Sequence, residues 1–446
     1  MTDTIFALAT APGRAAVAVV RLSGPGTRAI LAAIGGAALK PRTAALRTLT
    51  DPAGESLDRA LVLWFPGPAS YTGEDCGELH VHGAAAVVDG VMAALTGLGA
   101  RLAEPGEFTR RAFENGKLDL DQAEAVADLV NAETAAQARQ AVAQLGGSLG
   151  DRYKAWRRQV TGILARLEAA VDFPDEEVPA EVRWQARAPL EALIGELDEA
   201  LADGARGRRV REGYRVAIIG APNAGKSSFF NVMLRRDAAI VTATPGATRD
   251  VIEAPLRIGG YSVVIADMAG LRESGEPIEA EGVRRARAWA AAADLRIWVI
   301  DRAAQDDAWE GVLDLLQPHD LCLINKADLV LSPAGVKAAA TARRLGLETA
   351  TASLCGGDGG AIWAILSRRV TRDLTGTDFP ATTRARHARH LSEARDNLAR
   401  AAGMLDEPEL AAEDVRLAAR SLRRVTGEIG VEDVLGEVFA SFCIGK

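Results

Sequence analysis

The chain has 446 residues, enough for two to four domains of ordinary size, each able to bury its own core. Hydrophobic residues make up 48% and charged residues 25%, an ordinary globular balance that excludes a disordered or fibrous chain. A net charge of −8 excludes nucleic-acid binding driven by bulk positive charge alone, and leaves room for a local basic patch.

Residues 1–117 mix short apolar runs with turn signals. Val17-Ala18-Val19-Val20 and Leu61-Val62-Leu63-Trp64 read as strands, punctuated by Pro12-Gly13, Gly24-Pro25-Gly26 and Pro105-Gly106. The expectation is an α+β domain. From Leu118 the texture becomes helical: 119–146, 159–173 and 189–201 are rich in Ala, Gln, Glu and Leu at helical spacing. The same texture returns over 382–425. Between these blocks apolar strands alternate with helices, which predicts a parallel α/β sheet. The whole reads as a multidomain α+β chain: residues 1–117, a helical domain in two parts (118–212 and 372–446), and an α/β domain inserted at 213–371.

The inserted block carries the chemistry. The strand Tyr214–Ile219 runs into Gly220-Ala221-Pro222-Asn223-Ala224-Gly225-Lys226-Ser227, a P-loop pattern. Its glycines let backbone N–H groups turn around phosphates, and the following helix points its N-terminus at the same anion. Residues Asn223, Ala224, Gly225, Lys226, Ser227 and Ser228 are expected to contact the nucleotide, with Lys226 reaching the β- and γ-phosphates and Ser227 ligating Mg²⁺. The plain alternative for this segment alone is a Gly-rich turn. A second strand, Tyr261–Ala266, precedes Asp267-Met268-Ala269-Gly270, where an Asp can hold Mg²⁺ through water and a Gly N–H can touch the γ-phosphate. A third, Leu321–Ile324, precedes Asn325-Lys326-Ala327-Asp328. The Asp328 carboxylate suits the guanine N1–H and 2-amino donors, a pair that adenine does not present. Ser353-Leu354 falls where a base-contacting loop is expected. The run Thr242-Ala243-Thr244-Pro245-Gly246-Ala247-Thr248 is also expected among the nucleotide contacts, Thr248 completing the Mg²⁺ shell or serving as a turn threonine. Leu271 stands where many GTPases carry the Gln that orients the attacking water. Another polar group or a partner must take that role, and Arg272, Glu273, Glu276, Glu279 and Glu281 are at hand.

These motifs resemble the translation-factor-like branch of GTPases. Together with Gly246–Asp250, Asp267–Glu273, the segments 105–113 and 115–120, and the C-terminal Phe442-Cys443-Ile444-Gly445-Lys446, they resemble the MnmE (TrmE) family of tRNA-modification GTPases over essentially the whole chain. The resemblance implies an N-terminal folate-binding and dimerisation domain, a central helical domain and an inserted G domain. It implies a homodimer that works with a flavin (FAD)-dependent partner protein in a hetero-oligomer and installs an aminomethyl-type group at C5 of the tRNA wobble uridine. The carbon would come from a tetrahydrofolate derivative, in its 5-formyl or methylene form. It further implies potassium-dependent pairing of G domains, with K⁺ held by Asn223, by the backbone of Thr242 and Thr244, and by the position of Ala247, and with Glu279 positioning water. Ala247 stands where the family usually has Thr, which leaves only a backbone contribution there, and Met268 replaces Thr at a variable position. Folate contacts carry over to Arg21, Glu78, Lys117 and Lys446. From the residues alone each of these also fits a surface ion pair or a capping group.

The four cysteines, Cys76, Cys322, Cys355 and Cys443, lie far apart and fit free thiols in a reducing, cytoplasmic compartment. No signal peptide or membrane span is read. Cys443 reads either as a small buried hydrophobe or as a group near the folate or tRNA chemistry. Cys76, His80 and His82 are better explained by strand alternation than by a metal site, since no fourth ligand has suitable spacing. A second function class is a regulatory switch whose GTP state recruits an effector such as a ribosome-assembly factor. Neither the 105–117 segment nor the 442–446 tail has a reason to be present in such a protein.

Overall fold

The computed structural model describes residues 3–172, 185–237, 252–268, 277–356, 358–376, 380, 382–427, 442 and 445, with the side chains of 277–280 left out. The chain divides into two compact units. One comprises Met1–Asn131, Ala141–Asp198 and Arg386–Lys446; the other comprises Ala132–Gln140 and Glu199–Ala385.

In the first unit six strands form one sheet: β1 (Ile5–Leu8), β2 (Ala15–Ser23), β3 (Ala45–Thr50), β4 (Ser56–Phe65), β5 (Cys76–Gly83) and β6 (Arg101–Leu102), in the order β3-β4-β5-β2-β1-β6. Both predicted strands fall inside these elements. Alternation sorts the side chains. Val20, Leu22, Val62, Leu79 and Val81 are buried against α1 (Thr27–Gly35) and α2 (Ala85–Gly97) through Leu31, Ile34, Val91 and Leu95. The opposite face presents Val17, Arg21, Leu61, Glu78 and His80, placed in register by the Arg21↔Glu78 and Leu61↔His80 pairs.

Among the described residues the chain after α3 (Glu107–Glu114) is helical through α7 (Arg187–Glu212), and it follows its capping signals. Asp119 starts α4 (Leu120–Val130) with a capping box: its carboxylate accepts the Gln122 N–H at 2.8 Å, and the Gln122 side chain accepts the Asp119 N–H at 3.0 Å. The run predicted as helical over 119–146 breaks after Asn131. Thr134 then takes the Gln137 N–H on its hydroxyl at 3.3 Å, and α5 (Ala135–Leu145) begins. Helix α6 (Ser148–Asp172) packs along α13 (Pro408–Val425), and α12 (Ala385–Gly403) lies in the same unit's core through Leu391, Ala394 and Leu398. Phe442 packs with Ala123 and Val126 of α4. Between α4 and α12 lies a buried polar cluster. Arg386 donates to Glu124 at 2.9 Å and to Asp121 at 3.1 Å, and His387 Nε2 lies 3.2 Å from Asp121 Oδ1 and 3.3 Å from Glu124 Oε2.

The second unit holds a six-stranded sheet in the order β12-β11-β10-β7-β9-β8: β7 (Tyr214–Ile219), β8 (Ile252–Ile258), β9 (Tyr261–Asp267), β10 (Leu295–Asp301), β11 (Leu321–Asn325) and β12 (Glu348–Thr351). The predicted parallel sheet needs one correction: β8 runs antiparallel to β9. Gly259 and Gly260, at φ 61° and 85°, form a two-residue turn with the left-handed geometry that closes a tight hairpin. The remaining strands are parallel; β7, β9, β10 and β11 are buried on both faces and read as near-continuous apolar runs, while β12 is a largely exposed edge strand. Helices α8 (Lys226–Asp237) and α11 (Gly359–Leu374) cover one face. Helices α9 (Pro277–Ala292) and α10 (Pro333–Arg344) cover the other. The strand order reverses at β7, so a crevice opens beyond the carboxyl ends of the strands at that point.

Candidate nucleotide-binding site

The P-loop, Asp267, the Asn325–Asp328 motif and Ser353-Leu354 each sit at a carboxyl end of that sheet. β7 delivers the P-loop, and its backbone shape demands the glycines. A Cβ on Gly220 (φ 147°) would lie 2.3 Å from the Val299 carbonyl oxygen, and one on Gly225 (φ 105°) 2.0 Å from Asn325 Nδ2. Asn223 adopts a left-handed φ of 61° between them. This conformation turns successive N–H groups inward, as an anion-holding loop requires.

Lys226 opens α8 with its ammonium folded back, donating to the carbonyls of Gly220 and Ala221 at 3.0 Å each. Burial pushes its pKa below the ordinary lysine value, while the Asp267 carboxylate pulls it back up. Ser227 donates its hydroxyl to Asp267 Oδ2 at 2.7 Å. Asp267 Oδ1 is buried without a hydrogen-bond partner. A hydroxyl and a carboxylate with an unsatisfied oxygen form a donor set suited to a hard divalent cation, so the residues present fit Mg²⁺. Ser228 is exposed on the first turn of the same helix, Met268 is fully buried beneath the site, and its N–H bonds the Ile218 carbonyl at 3.2 Å.

The base-contacting residues converge from β11 and from the loop after β12. Asn325 ties three segments together: its Nδ2 donates to the Ala224 carbonyl at 2.9 Å, and its Oδ1 accepts the Leu354 N–H at 3.3 Å. Lys326, with a left-handed φ of 59°, donates to Asp301 Oδ2 at 2.6 Å. Asp328 is exposed and accepts the Ser353 hydroxyl at 2.5 Å; that hydrogen bond is the chief cause holding its pKa below the usual carboxylate value. The structure thus brings Asn223, Ala224, Gly225, Lys226, Ser227, Asp267, Asn325, Lys326, Asp328, Ser353 and Leu354 to one end of one sheet. Thr242, Ala243, Thr244, Pro245, Gly246, Ala247 and Thr248 lie outside the described residues, as do Ala269, Gly270 and Leu271. The backbone of Glu279 belongs to α9, and its side chain lies outside the described residues. Asp301 and Asp358 escaped the sequence reading. Each is an isolated acid whose importance depends on a partner from another motif, and no local pattern marks it.

In the first unit, Arg21 donates to Glu78 at 3.0 and 3.2 Å, and His80 Nε2 lies 3.1 Å from the other Glu78 oxygen. The pair lines a cavity of about 870 Å³ with Phe65, Tyr71 and Val126, and the Arg21 guanidinium lies 5.5 Å from the Tyr71 ring centre. Lys117 is not on that wall; its ammonium donates to the Pro68 carbonyl at 3.1 Å. Cys443 and Lys446 lie outside the described residues. Cys76 contacts the Thr72 hydroxyl at 3.2 Å while His82 contacts Asp58 at 2.8 Å, so these two side chains serve separate partners.

A crossover sheet, a glycine-bound loop before a helix and a base motif on the next strands define a P-loop nucleotide-binding protein of the G-domain kind. Family profiles cover nearly the whole chain: that of the MnmE helical domain matches residues 120–443, and that of the GTP-binding protein TrmE N-terminus matches 4–117. Curated relatives named tRNA modification GTPase MnmE come from Phenylobacterium zucineum and Caulobacter vibrioides, each 57% identical over 450 residues and 100% of both chains. A solved structure of the G domain of the T. maritima FeoB iron transporter matches 36% of this chain and 99% of its own at 23% identity, with a TM-score of 0.27, too loose a likeness to bear on the assignment. The chain belongs to the MnmE (TrmE) family, and the resemblance carried by its motifs is borne out.

Proposed function

We propose that this protein binds and hydrolyses GTP and uses that hydrolysis in tRNA modification. One observation carries the reading: the P-loop lysine and the guanine-selecting carboxylate, Lys226 and Asp328, come to the same end of one sheet, with Asn325 bonded to both the P-loop and the base loop. Full-length relatives at 57% identity are named for this activity. Asp328 would take the guanine N1–H and 2-amino donors, and Lys226 would leave its backbone carbonyls for the phosphates. Ser227, Asp267 and Thr248 would hold Mg²⁺, which supplies positive charge beside the β- and γ-phosphates. P-loop backbone amides would hold the phosphate oxygens in line.

The finer reading follows the family resemblance. Leu271 cannot orient water, so the reading assigns that role to Glu279 and the charge-offsetting role to K⁺, held by Asn223, Thr242, Thr244 and Ala247 when two G domains pair. The remaining phosphate and base contacts are assigned to Ala224, Gly225, Ser228, Ala243, Pro245, Gly246, Met268, Ala269, Gly270, Asn325, Lys326, Ser353 and Leu354. Residues 1–117 would bind the tetrahydrofolate derivative through Arg21, Glu78, Lys117 and Lys446, with Cys443 close to the chemistry. The cavity beside Arg21 and Glu78 supports part of that set, while their mutual ion pair means a ligand must compete for or share it. Exposed Val17, Leu46 and Leu61, on strands of the same sheet, support a homodimer formed there. An FAD-dependent partner, the tRNA wobble uridine and a cytoplasmic location complete the reading, with domain limits at 117, 212 and 371. Among the described residues no helix is long and apolar enough to cross a membrane.

Turnover of GTP by the full-length protein in K⁺ and in Na⁺ tests this. The rate in K⁺ is expected to exceed that in Na⁺ by more than about tenfold. Equal rates would remove the ion from the mechanism, and failure to retain GDP or GTP in any salt would remove the guanine site itself.

A further inference from the structure

We propose that Asp358 is a positioning residue for guanine recognition, acting through Ser353 on the carboxylate of Asp328. The proposal rests on the guanine site read above.

Asp358 stands at the N-cap of α11, where an aspartate ordinarily accepts an N–H from its own first turn. It makes no such bond. Its Oδ2 instead turns back five residues and accepts the Ser353 N–H at 2.7 Å. The other polar groups of Ser353 are also committed. Its carbonyl accepts the Gly356 N–H at 3.0 Å and the Asp358 N–H at 3.3 Å, and its hydroxyl oxygen accepts the Gly356 N–H at 3.2 Å. With one hydroxyl lone pair taken by Gly356, and a carboxylate able only to accept, the hydroxyl hydrogen is directed at Asp328 Oδ1, 2.5 Å away.

That direction matters because Asp328 is exposed, and the Ser353 hydroxyl is the larger of the two hydrogen bonds, the other from its own backbone, that orient its carboxylate. Guanine asks for both carboxylate oxygens at once, in the plane of its N1–H and 2-amino group. One fixed oxygen sets that plane. A base with only the N1–H needs a single oxygen and tolerates rotation. The anchor should therefore matter for two-donor bases and hardly matter for hypoxanthine, which lacks the 2-amino group. Asp301 does the parallel job on the neighbouring motif residue, holding Lys326 at 2.6 Å, but that contact touches no group that distinguishes the two bases.

The test is calorimetric titration of nucleotide-free, full-length protein with GDP and with IDP. Asp358→Ala is expected to weaken GDP by about five- to tenfold and IDP by less than about twofold, so that the preference for GDP shrinks. Asp358→Asn keeps an acceptor oxygen and should restore the preference. Ser353→Ala should shrink it by a similar factor, and the Ser353→Ala/Asp358→Ala double variant should go no further, because both act through one bond. Equal weakening of GDP and IDP, or additive losses in the double variant, would reduce Asp358 to a structural support for α11 and overturn the proposal. If Asp358→Ala fails to fold, an unchanged GDP preference in Ser353→Ala overturns it alone. A wild-type chain that binds neither nucleotide would overturn the guanine site and the proposal with it.

Discussion

Lys226, Lys326 and Asp328 are each committed to a neighbour: to two P-loop carbonyls, to Asp301 and to Ser353. The pose of each is thus set by a neighbouring group of the protein. The residue assigned to chemistry shows the contrast. Leu271 offers the attacking water nothing, so Glu279→Ala is expected to lower GTP turnover by about 10²-fold or more, with GTP affinity within about twofold. Single-turnover rates and equilibrium titration check this, and equal losses in both would assign Glu279 to structure instead. Lys226, Ser227 and Asp328 were legible in the sequence because their motifs are contiguous and each chemical role follows from residue type. Asp358 was not legible: its carboxylate matters only because the loop folds back onto Ser353.

Strand and helix positions followed periodicity closely, from Tyr214–Ile219 to Pro408–Val425, because burial on one face or two leaves a direct imprint on residue order. Strand direction left a fainter one. Ile252–Ile258 runs against its neighbour, and the available signal was Gly259-Gly260 set between two apolar runs. The cluster joining α4 to α12 was hidden, since its members are far apart in the chain. Burial and Arg386 push the His387 pKa down, but Asp121 and Glu124 outweigh them and hold it above the ordinary histidine value of 6.5. The Tyr153 ring, from α6, packs against the His387 ring with centres 6.4 Å apart and planes 72° apart. A protonated His387 with Arg386 balances the two carboxylates. A raised folded pKa means that this stabilisation is fully present below about pH 6.5 and is lost as pH rises through the folded value. The melting temperature of the wild type should therefore fall relative to His387→Gln as pH rises above 6.5, and parallel pH profiles for the two proteins would show that the imidazole is neutral throughout. Glu124, held well below its usual range against the cost of burial by His387 and Arg386, works in the opposite direction and only in acid.

Two units built from five chain segments should not melt as one. Calorimetry is expected to resolve two transitions. GDP at about 1,000 times its dissociation constant should stabilise the unit of Ala132–Gln140 and Glu199–Ala385 by roughly 4 kcal/mol and leave the other nearly unmoved. Equal shifts of both would mean that the units unfold together. Composition marks an insertion at 213–371 between two helical stretches, whereas the compact unit runs from Glu199 to Ala385, because it takes in helical residues on either side of the sheet. Assignment of Ala132–Gln140 to the inserted unit was not legible: those nine residues read as part of one long helix, and their place is set by Gln137 and Gln140 donating to the carbonyls of Arg211 and Gly207.

The same interleaving sets a timetable on the ribosome. Glu124 emerges 262 residues before the arginine that neutralises it. At roughly 5–20 residues per second, the carboxylate waits some tens of seconds for its counter-charge. Over that interval α4 has no electrostatic reason to leave water, while every strand of the nucleotide-binding sheet is synthesised. The inserted unit is thus free to take up its fold, and its nucleotide, before the helical domain can close.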